Sequence, residues 1–408
     1  MSNTDTLRHA DLQTLATALN DQRTRTIDVV VPSPRLRSVL GAVELSGVDP
    51  VVSDDGVTDV NGCYVPTVVG DEGIAEKLKI PLAYLRRMHT DAVELYDANV
   101  SGWFARGTDS YLLRLLTHAD GPRPDGSAGV LRAMLSKSYR TIDNFDVLLA
   151  ALKGIQEAGV SDPVIEADLS ERRMTVRVST PDVAILAPKL LANYRSPFGG
   201  HDVGRGWTPE RVARASGAEG RAMDPTIVFA GLVFSNSETG DGGFNVTPRL
   251  VIQVCNNGLT ITADALKKVH LGAKLDDGVV QWSERTTQLT LALVTSKASD
   301  AVARFLDPAY LAGAVAKIED DAAEPIADAP AVLATVSKRL GFTEADQALI
   351  LGHFVSGGQM TAGGVMQAVT SAAQTIADPD AAWDMEVKGL PAMREAVSAN
   401  HAMALARR

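Results

Sequence analysis

Between residues 226 and 262 the chain alternates apolar runs with tight-turn signals, and few folds accept that pattern. Thr226-Ile-Val-Phe-Ala-Gly-Leu-Val-Phe234 is rich in β-branched and aromatic residues, and Ser-Asn-Ser-Glu-Thr-Gly-Asp-Gly-Gly243 follows it as a turn. Phe244–Thr247 and Arg249–Cys255 read as return strands, with Asn256-Asn257-Gly258 as a second tight turn before Leu259–Thr262. Strands joined this closely pair antiparallel, because a parallel pair needs a crossover of about a dozen residues. The stretch predicts a meander.

Upstream, Val164–Leu169 and Met174–Thr180 predict a hairpin. Met174, Val176 and Val178 alternate with Thr175, Arg177 and Ser179, the pattern of a strand with one buried and one wet face. A helix from about Asn144 precedes it, with Leu148, Leu149, Leu152 and Ile155 as its inner side and Gly159 as its stop. Ser283–Leu306 reads as a long helix with Leu289, Leu293, Val302, Phe305 and Leu306 as core candidates.

Towards the N-terminus, residues 5–20 read as a helix and Thr26–Val31 as a strand stopped by Pro32 and Pro34. Asn61-Gly62 signals a hairpin within Val57–Val69, and two short helices meet at Pro81. Periodicity leaves Tyr111–Leu116 open between buried strand and helix. The segment Asp120-Gly-Pro-Arg-Pro-Asp-Gly-Ser-Ala-Gly129 reads as a domain edge or mobile loop. Towards the C-terminus, acidic Glu319–Pro330 reads as a linker or loop, and Val332–Leu340, Thr343–Phe354 and Gly364–Ile376 as helices, with Thr343 and Asp346 as a capped start. The fold class is therefore α+β: a central antiparallel meander sheet packed on helices, with a mixed N-terminal region at 1–120, a core domain at 130–318 and a helical region at 331–408.

A chain of 408 residues is too long for one ordinary core, and 45% hydrophobic with 22% charged residues describes a folded protein. No apolar run reaches membrane-spanning length, and Met-Ser-Asn-Thr-Asp-Thr at the start lacks the parts of a signal peptide, so no membrane contact and a cytoplasmic location are expected. Cys63 and Cys255 lie far apart, which indicates neither a disulfide framework nor a cysteine metal cluster. Setting Lys and Arg against Asp and Glu gives −6 for residues 1–130, 0 for 131–290 and −5 for 291–408, together the −11 of the whole chain. Taken whole, that argues against a simple electrostatic DNA binder, yet the neutral middle has room for a local basic groove.

Candidate basic residues concentrate in that middle. Leu131–Asn144 carries Arg132, Lys137, Tyr139 and Arg140 just ahead of a helix start, where Asp143 or Asn144 can cap. Arg172, Arg173 and Arg177 lie on the hairpin, a Gly- and Arg-rich loop fills 194–225, and Lys267, Lys268 and His270 follow the meander. No phosphate loop, dinucleotide-binding glycine turn, metal-binding His-Glu-x-x-His helix or nucleophile elbow occurs, and the seven histidines have no ligand spacing. No catalytic residue, metal or cofactor is expected on this evidence. An enzyme reading would have to draw on Asp143, Asp146, His270 and the Ser235–Glu238 loop.

Several ordered motifs together resemble one family. They are Leu-Lys-Ile-Pro-Leu-Ala-Tyr-Leu-Arg-Arg-Met (78–88), Leu-Arg-Ala-Met-Leu-Ser-Lys-Ser-Tyr-Arg-Thr-Ile-Asp-Asn (131–144), Phe-Ser-Asn-Ser-Glu-Thr-Gly (234–240), Cys-Asn-Asn-Gly-Leu (255–259) and the set Lys268, His270, Gly272. The series resembles the phage- and plasmid-encoded family known as domain of unknown function 932. The resemblance implies a mobile element, such as a tailed phage or prophage, and transfers no catalytic residue.

In that setting the leading expectation is a protein that binds or anneals single-stranded DNA in recombination or replication, as a homo-oligomer. Lys137, Tyr139, Arg140, Arg172, Arg173, Arg177, Lys267, Lys268 and His270 would form its surface. The alternatives are a non-enzymatic structural or host-interaction phage protein, and a cryptic enzyme acting on nucleotides or nucleic acid.

Overall fold

Of the two sheets that organise the chain, the N-terminal one is mixed. The structure, a computed structural model, describes residues 6–53, 56–139, 141–160, 163–187, 190, 227–252, 257–260, 266–269 and 284–406. The N-terminal sheet runs in the order β2 (Thr26–Pro32), β8 (Ser110–Thr117), β9 (Ser127–Ser136), β7 (Gly62–Pro66), β4 (Ala42–Leu45) and β3 (Leu36–Val39). β7 and β9 pair parallel, the other neighbours antiparallel. Helices α2 (Val68–Leu78), α3 (Leu82–Asp91) and α4 (Val93–Arg106) cover it, enclosing Val31, Tyr64, Ile74, Leu85, Phe104 and Leu113. The helix break at Pro81 is where the sequence puts it.

One open reading is settled and two local expectations change. The run Tyr111–Leu116 lies in strand β8 and is buried along its whole length, so apart from Arg114 its residues are apolar without alternation. Of the Asp120–Gly129 segment, read as a domain edge or mobile loop, residues 120–126 join β8 to β9, two paired strands of one sheet, and the rest begins β9. Asn61-Gly62 closes no hairpin: β6 (Gly56–Thr58) pairs with β5 (Val51–Ser53), while β7 pairs with β4 and β9. The Asn61 amide instead bridges to Val48, donating to its carbonyl and accepting from its N–H, both at 2.9 Å.

The second sheet is the predicted meander. Its order is β1 (Leu7–Ala10), β10 (Val164–Leu169), β11 (Met174–Leu186), β12 (Ile227–Asn236), β13 (Phe244–Ile252) and β14 (Asn257–Thr260), with β15 (Leu266–Val269) also on β13. All these pairs are antiparallel, and β13 runs unbroken through Pro248 where two strands were expected. Residues 5–20 are not one helix. Leu7–Ala10 adds an edge strand, and Asp11 then caps α1 (Leu12–Arg25) by accepting from the Thr14 N–H at 2.7 Å.

Met174, Val176, Val178, Leu232 and Phe234 of this sheet share a core with α5 (Asn144–Glu157) and α6 (Glu284–Phe305). Helices α7 (Pro308–Ala323), α8 (Ala329–Leu340), α9 (Glu344–Gly357), α10 (Ala362–Thr375), α11 (Pro379–Glu386) and α12 (Gly389–Ala406) extend the same core with Leu311, Val332, Met366 and Met393. Most of the expected linker Glu319–Pro330 is therefore helical, and its Ile326 is buried. Leu289 and Leu293, expected in the core, are exposed on α6, whose inner side is Val294, Ala298, Ala301 and Val302. Thr343 and Asp346 form the predicted reciprocal cap on α9.

Close approach of α5 to α6 depends on Gly154, where a Cβ would lie 2.2 Å from the Thr295 carbonyl oxygen. Gly352, in α9, has open space around the same position. Alanine is intrinsically better than glycine in a helix by about 1 kcal/mol, so the two substitutions separate propensity from packing. Gly154→Ala is expected to destabilise by about 1–3 kcal/mol, and Gly352→Ala to be neutral or stabilising by up to about 1 kcal/mol, both read from urea unfolding midpoints.

Candidate nucleic-acid interface and the charge networks behind it

Two arginines lie inside the N-terminal sheet. Arg114 on β8 and Arg132 on β9 are each 1% exposed, flanked by Leu113 and Leu115 and by Leu131 and Ala133. Their shared anion is Glu238, two residues past the end of β12 in the other sheet. It receives Arg132 Nη1 on one oxygen and Arg114 Nη2, at 3.3 Å, on the other. Arg114 also donates to Asp28 of β2 at 2.7 Å and to Asp143. Asp28 accepts from Thr141 Oγ1 as well.

The same carboxylate caps a helix. Asp143 precedes α5 but its side chain makes no capping bond; it is turned to Arg114. Glu238 Oε2 accepts from the Asn144 N–H at 2.9 Å, and Asn236 Nδ2 donates to Asn144 Oδ1 at 2.8 Å. The α5 cap thus comes from a residue 94 positions away, not from the Asp143 or Asn144 side chain that the sequence offered. Burial pushes the Glu238 carboxyl up, but Arg114, Arg132 and the Asn144 N–H outweigh it and hold it down at about 2. Burial instead dominates at Asp28, whose carboxyl is raised despite Arg114.

A second network lies on the polar face of the meander. Arg177 was expected on a wet face, yet it is 2% exposed. It donates to Asp168 at 2.6 Å and to Glu386 of α11 at 3.1 Å, while Arg249 reaches the other Glu386 oxygen at 3.2 Å. Arg8 of β1 bonds Asp168 at 2.5 Å and the Ala373 carbonyl at 3.1 Å. The C-terminal helices cover this face, which is why alternation in β11 does not report a solvent-exposed side. Arg177 is therefore a structural ion-pair residue in this fold, not a surface one.

His9, Glu166 and Asp168 bring three potential ligand atoms within 4.8 Å of one another. Both Asp168 oxygens are already engaged, by Arg8, Arg177 and the His9 N–H, and those guanidinium groups oppose a cation. Burial would raise the Glu166 carboxyl, but hydrogen bonding to His9 and the nearby Arg177 and Arg249 hold it at about 2.

The hairpin tip is more open. Arg172 and Arg173 join β10 to β11 with side chains 27% and 23% exposed. Arg172 pairs with Glu72 of α2 and stands 3.7 Å from Asp241; Arg173 stands 3.8 Å from the same Asp241 oxygen. Thr239 Oγ1 donates to the Glu171 and Arg172 carbonyls at 3.3 Å, and Ser237 Oγ accepts from the Asp241 N–H at 3.0 Å. The 237–243 loop is thereby fixed to the tip with a cleft of about 110 Å³ on each side. One is lined by Glu72, Leu135, Arg172 and Thr239, the other by Arg173, Asn236, Asn245 and Trp383.

Among the other sequence candidates, Lys137 is exposed one residue beyond β9, near Leu135 of the first cleft. Tyr139 is half-buried in the turn, its N–H bonded to the Ser136 carbonyl at 2.8 Å, and burial raises its hydroxyl pKa. Lys267 and Lys268 lie on β15. Arg140, His270 and the 194–225 loop lie outside the described residues. Hence Arg172 and Arg173 lie at the 237–243 loop, while Arg177 belongs to the covered face. Sequence reading missed Arg114 as a network residue, although an arginine inside Leu-Leu-Arg-Leu-Leu already demanded buried carboxylates. Nothing in the sequence marked Glu386 or Trp383.

Removing the Glu238 charge leaves two buried guanidinium groups short of an anion, so Glu238→Gln is expected to destabilise by about 3–5 kcal/mol in chemical denaturation. A carboxyl depressed from 4.5 to about 2 contributes stability that is complete above the ordinary range and lost as pH falls toward 2. The parent's unfolding midpoint should therefore fall across that window, and the variant's should fall less steeply.

Among the described residues no helix is long and apolar enough to cross a membrane. Compared with known proteins, the chain matches no family model, no curated protein and no solved structure.

Proposed function

We propose that the protein binds single-stranded DNA, as a homo-oligomer, in the recombination or replication of a mobile element. The observation that carries this reading is the hairpin tip: Arg172 and Arg173 remain partly open to solvent on either side of a loop fixed between two polar clefts. Lys137 is exposed two residues along the chain from Leu135 of the first cleft. The motifs at 131–144 and 234–240 that resemble the phage and plasmid family are joined at the base of this loop, through the buried pair Arg132 and Glu238. A net charge of −11 makes the attraction local rather than long-ranged, so it should be strongly salt-sensitive.

A second reading, an interaction protein without a nucleic-acid ligand, is favoured by one observation. Arg172, Arg173 and Arg177 all face carboxylates. Fluorescence anisotropy with a labelled single-stranded oligonucleotide decides between them. Binding at low salt is expected, with the Arg172→Ala/Arg173→Ala double variant lowering the log–log salt slope by about 1.4. Absence of binding at low salt and micromolar protein would leave the interaction reading.

A further inference from the structure

We propose that the cleft between the 237–243 loop and α11 is a pocket for a single nucleobase. Its lining combines a ring, amides and a cation: Trp383 from α11, Asn236 and Asn245 from the facing ends of β12 and β13, Arg173 from the hairpin tip and Asp241 from the loop. An indole offers a stacking surface that accepts any base, which is how single strands are held without sequence readout. The amides and the guanidinium supply edge contacts to a planar, nitrogen-rich ring.

One polar group in the cleft wall has no protein partner. Asn245 Nδ2 donates to Thr247 Oγ1 at 3.1 Å, while Asn245 Oδ1 is buried with no hydrogen bond. Turning the amide over would satisfy the oxygen and orphan the nitrogen, so one pole is unpaired in either orientation. A buried amide pole without a partner costs free energy that a ligand group of the opposite kind recovers. As placed, Oδ1 requires a donor, which the exocyclic amino groups of cytosine and adenine and the N3–H of thymine can each supply.

Size narrows the ligand. A volume of about 110 Å³ holds roughly seven to ten water-sized spheres, well under the ~300 Å³ at which sites for drug-sized molecules begin. One heterocycle fits, and its sugar and phosphate would remain outside. There Arg173, whose 3.8 Å approach to Asp241 is long for an ion pair, is placed to meet the phosphate. A small carbohydrate could also stack on an indole, but it presents no planar edge to the amide pair.

This pocket deepens the single-strand reading, and rests on it for the polymer though not for the monomer. Calorimetry with dCMP, dAMP, dTMP and glucose on the full chain tests it, alongside anisotropy with the oligonucleotide. We expect dCMP, dAMP and dTMP all to bind and glucose not to. Asn245→Asp and Trp383→Leu should each weaken them about tenfold or more, with circular dichroism melts confirming folding. Asn245→Asp, a near-isosteric change, serves if Trp383→Leu does not fold. Oligonucleotide binding unchanged in the folded variants overturns the pocket and leaves the single-strand reading intact. Monophosphate binding that depends on Asn245, without oligonucleotide binding, keeps the pocket and removes the polymer. Binding of glucose alone, or of nothing, overturns the pocket.

Discussion

Burying two guanidinium groups inside an apolar sheet is unfavourable unless each finds an anion, and here one carboxylate serves both. Glu238 comes from the second sheet, accepts from Arg114 and Arg132 of the first, and closes the N-terminus of α5 through the Asn144 N–H. Three elements distant in sequence are fixed by one side chain. Because both partners are almost fully buried, solvent screens the attraction weakly, and loss of any member leaves an uncompensated charge in a low-dielectric setting. Glu238 is the second residue of the 237–243 loop. The geometry of both clefts therefore depends on a contact that touches neither.

The same rule sorts the hairpin arginines. Arg177 sits within β11, where α11 and the end of α10 cover the sheet, so it must take Asp168 and Glu386 as partners. Arg172 and Arg173 sit at the turn beyond that cover, and their carboxylates stand at its edge. Three residues of one type and one hairpin thus divide into a structural member and two that remain partly open. Position along the strand relative to the covering helices makes the difference, not residue chemistry. Any anion-binding role of the hairpin has to lie at its tip.

Much of the secondary structure was legible, because periodicity and turn chemistry are local. The meander, the hairpin at 164–180, the helices beginning near 144 and 284 and the cap at Thr343 all follow from neighbours within a few residues. Where reading failed, a distant partner had intervened. Asn61-Gly62 has the composition of a turn, but the Asn61 amide is taken by Val48. Residues 7–10 have helical spacing with α1, yet they lie along β10, where Arg8 and the His9 N–H reach Asp168. Leu289 and Leu293 read as core because a helix of mixed composition does not reveal which side its sheet will take.

The candidate site was legible only as a list of residue types. Sequence alone determined that basic residues cluster between two acidic regions, that enzyme motifs are absent and that an antiparallel sheet lies at the centre. Tertiary structure decided which cations stay open, because openness depends on what packs above a residue. It also placed Trp383 beside Asn245, 138 residues earlier in the chain, in one cleft. A sequence records which side chains can stack, donate or carry charge. Whether they meet is settled by long-range packing, and here that packing runs through Glu238 and Glu386, two carboxylates whose partners no local pattern specifies.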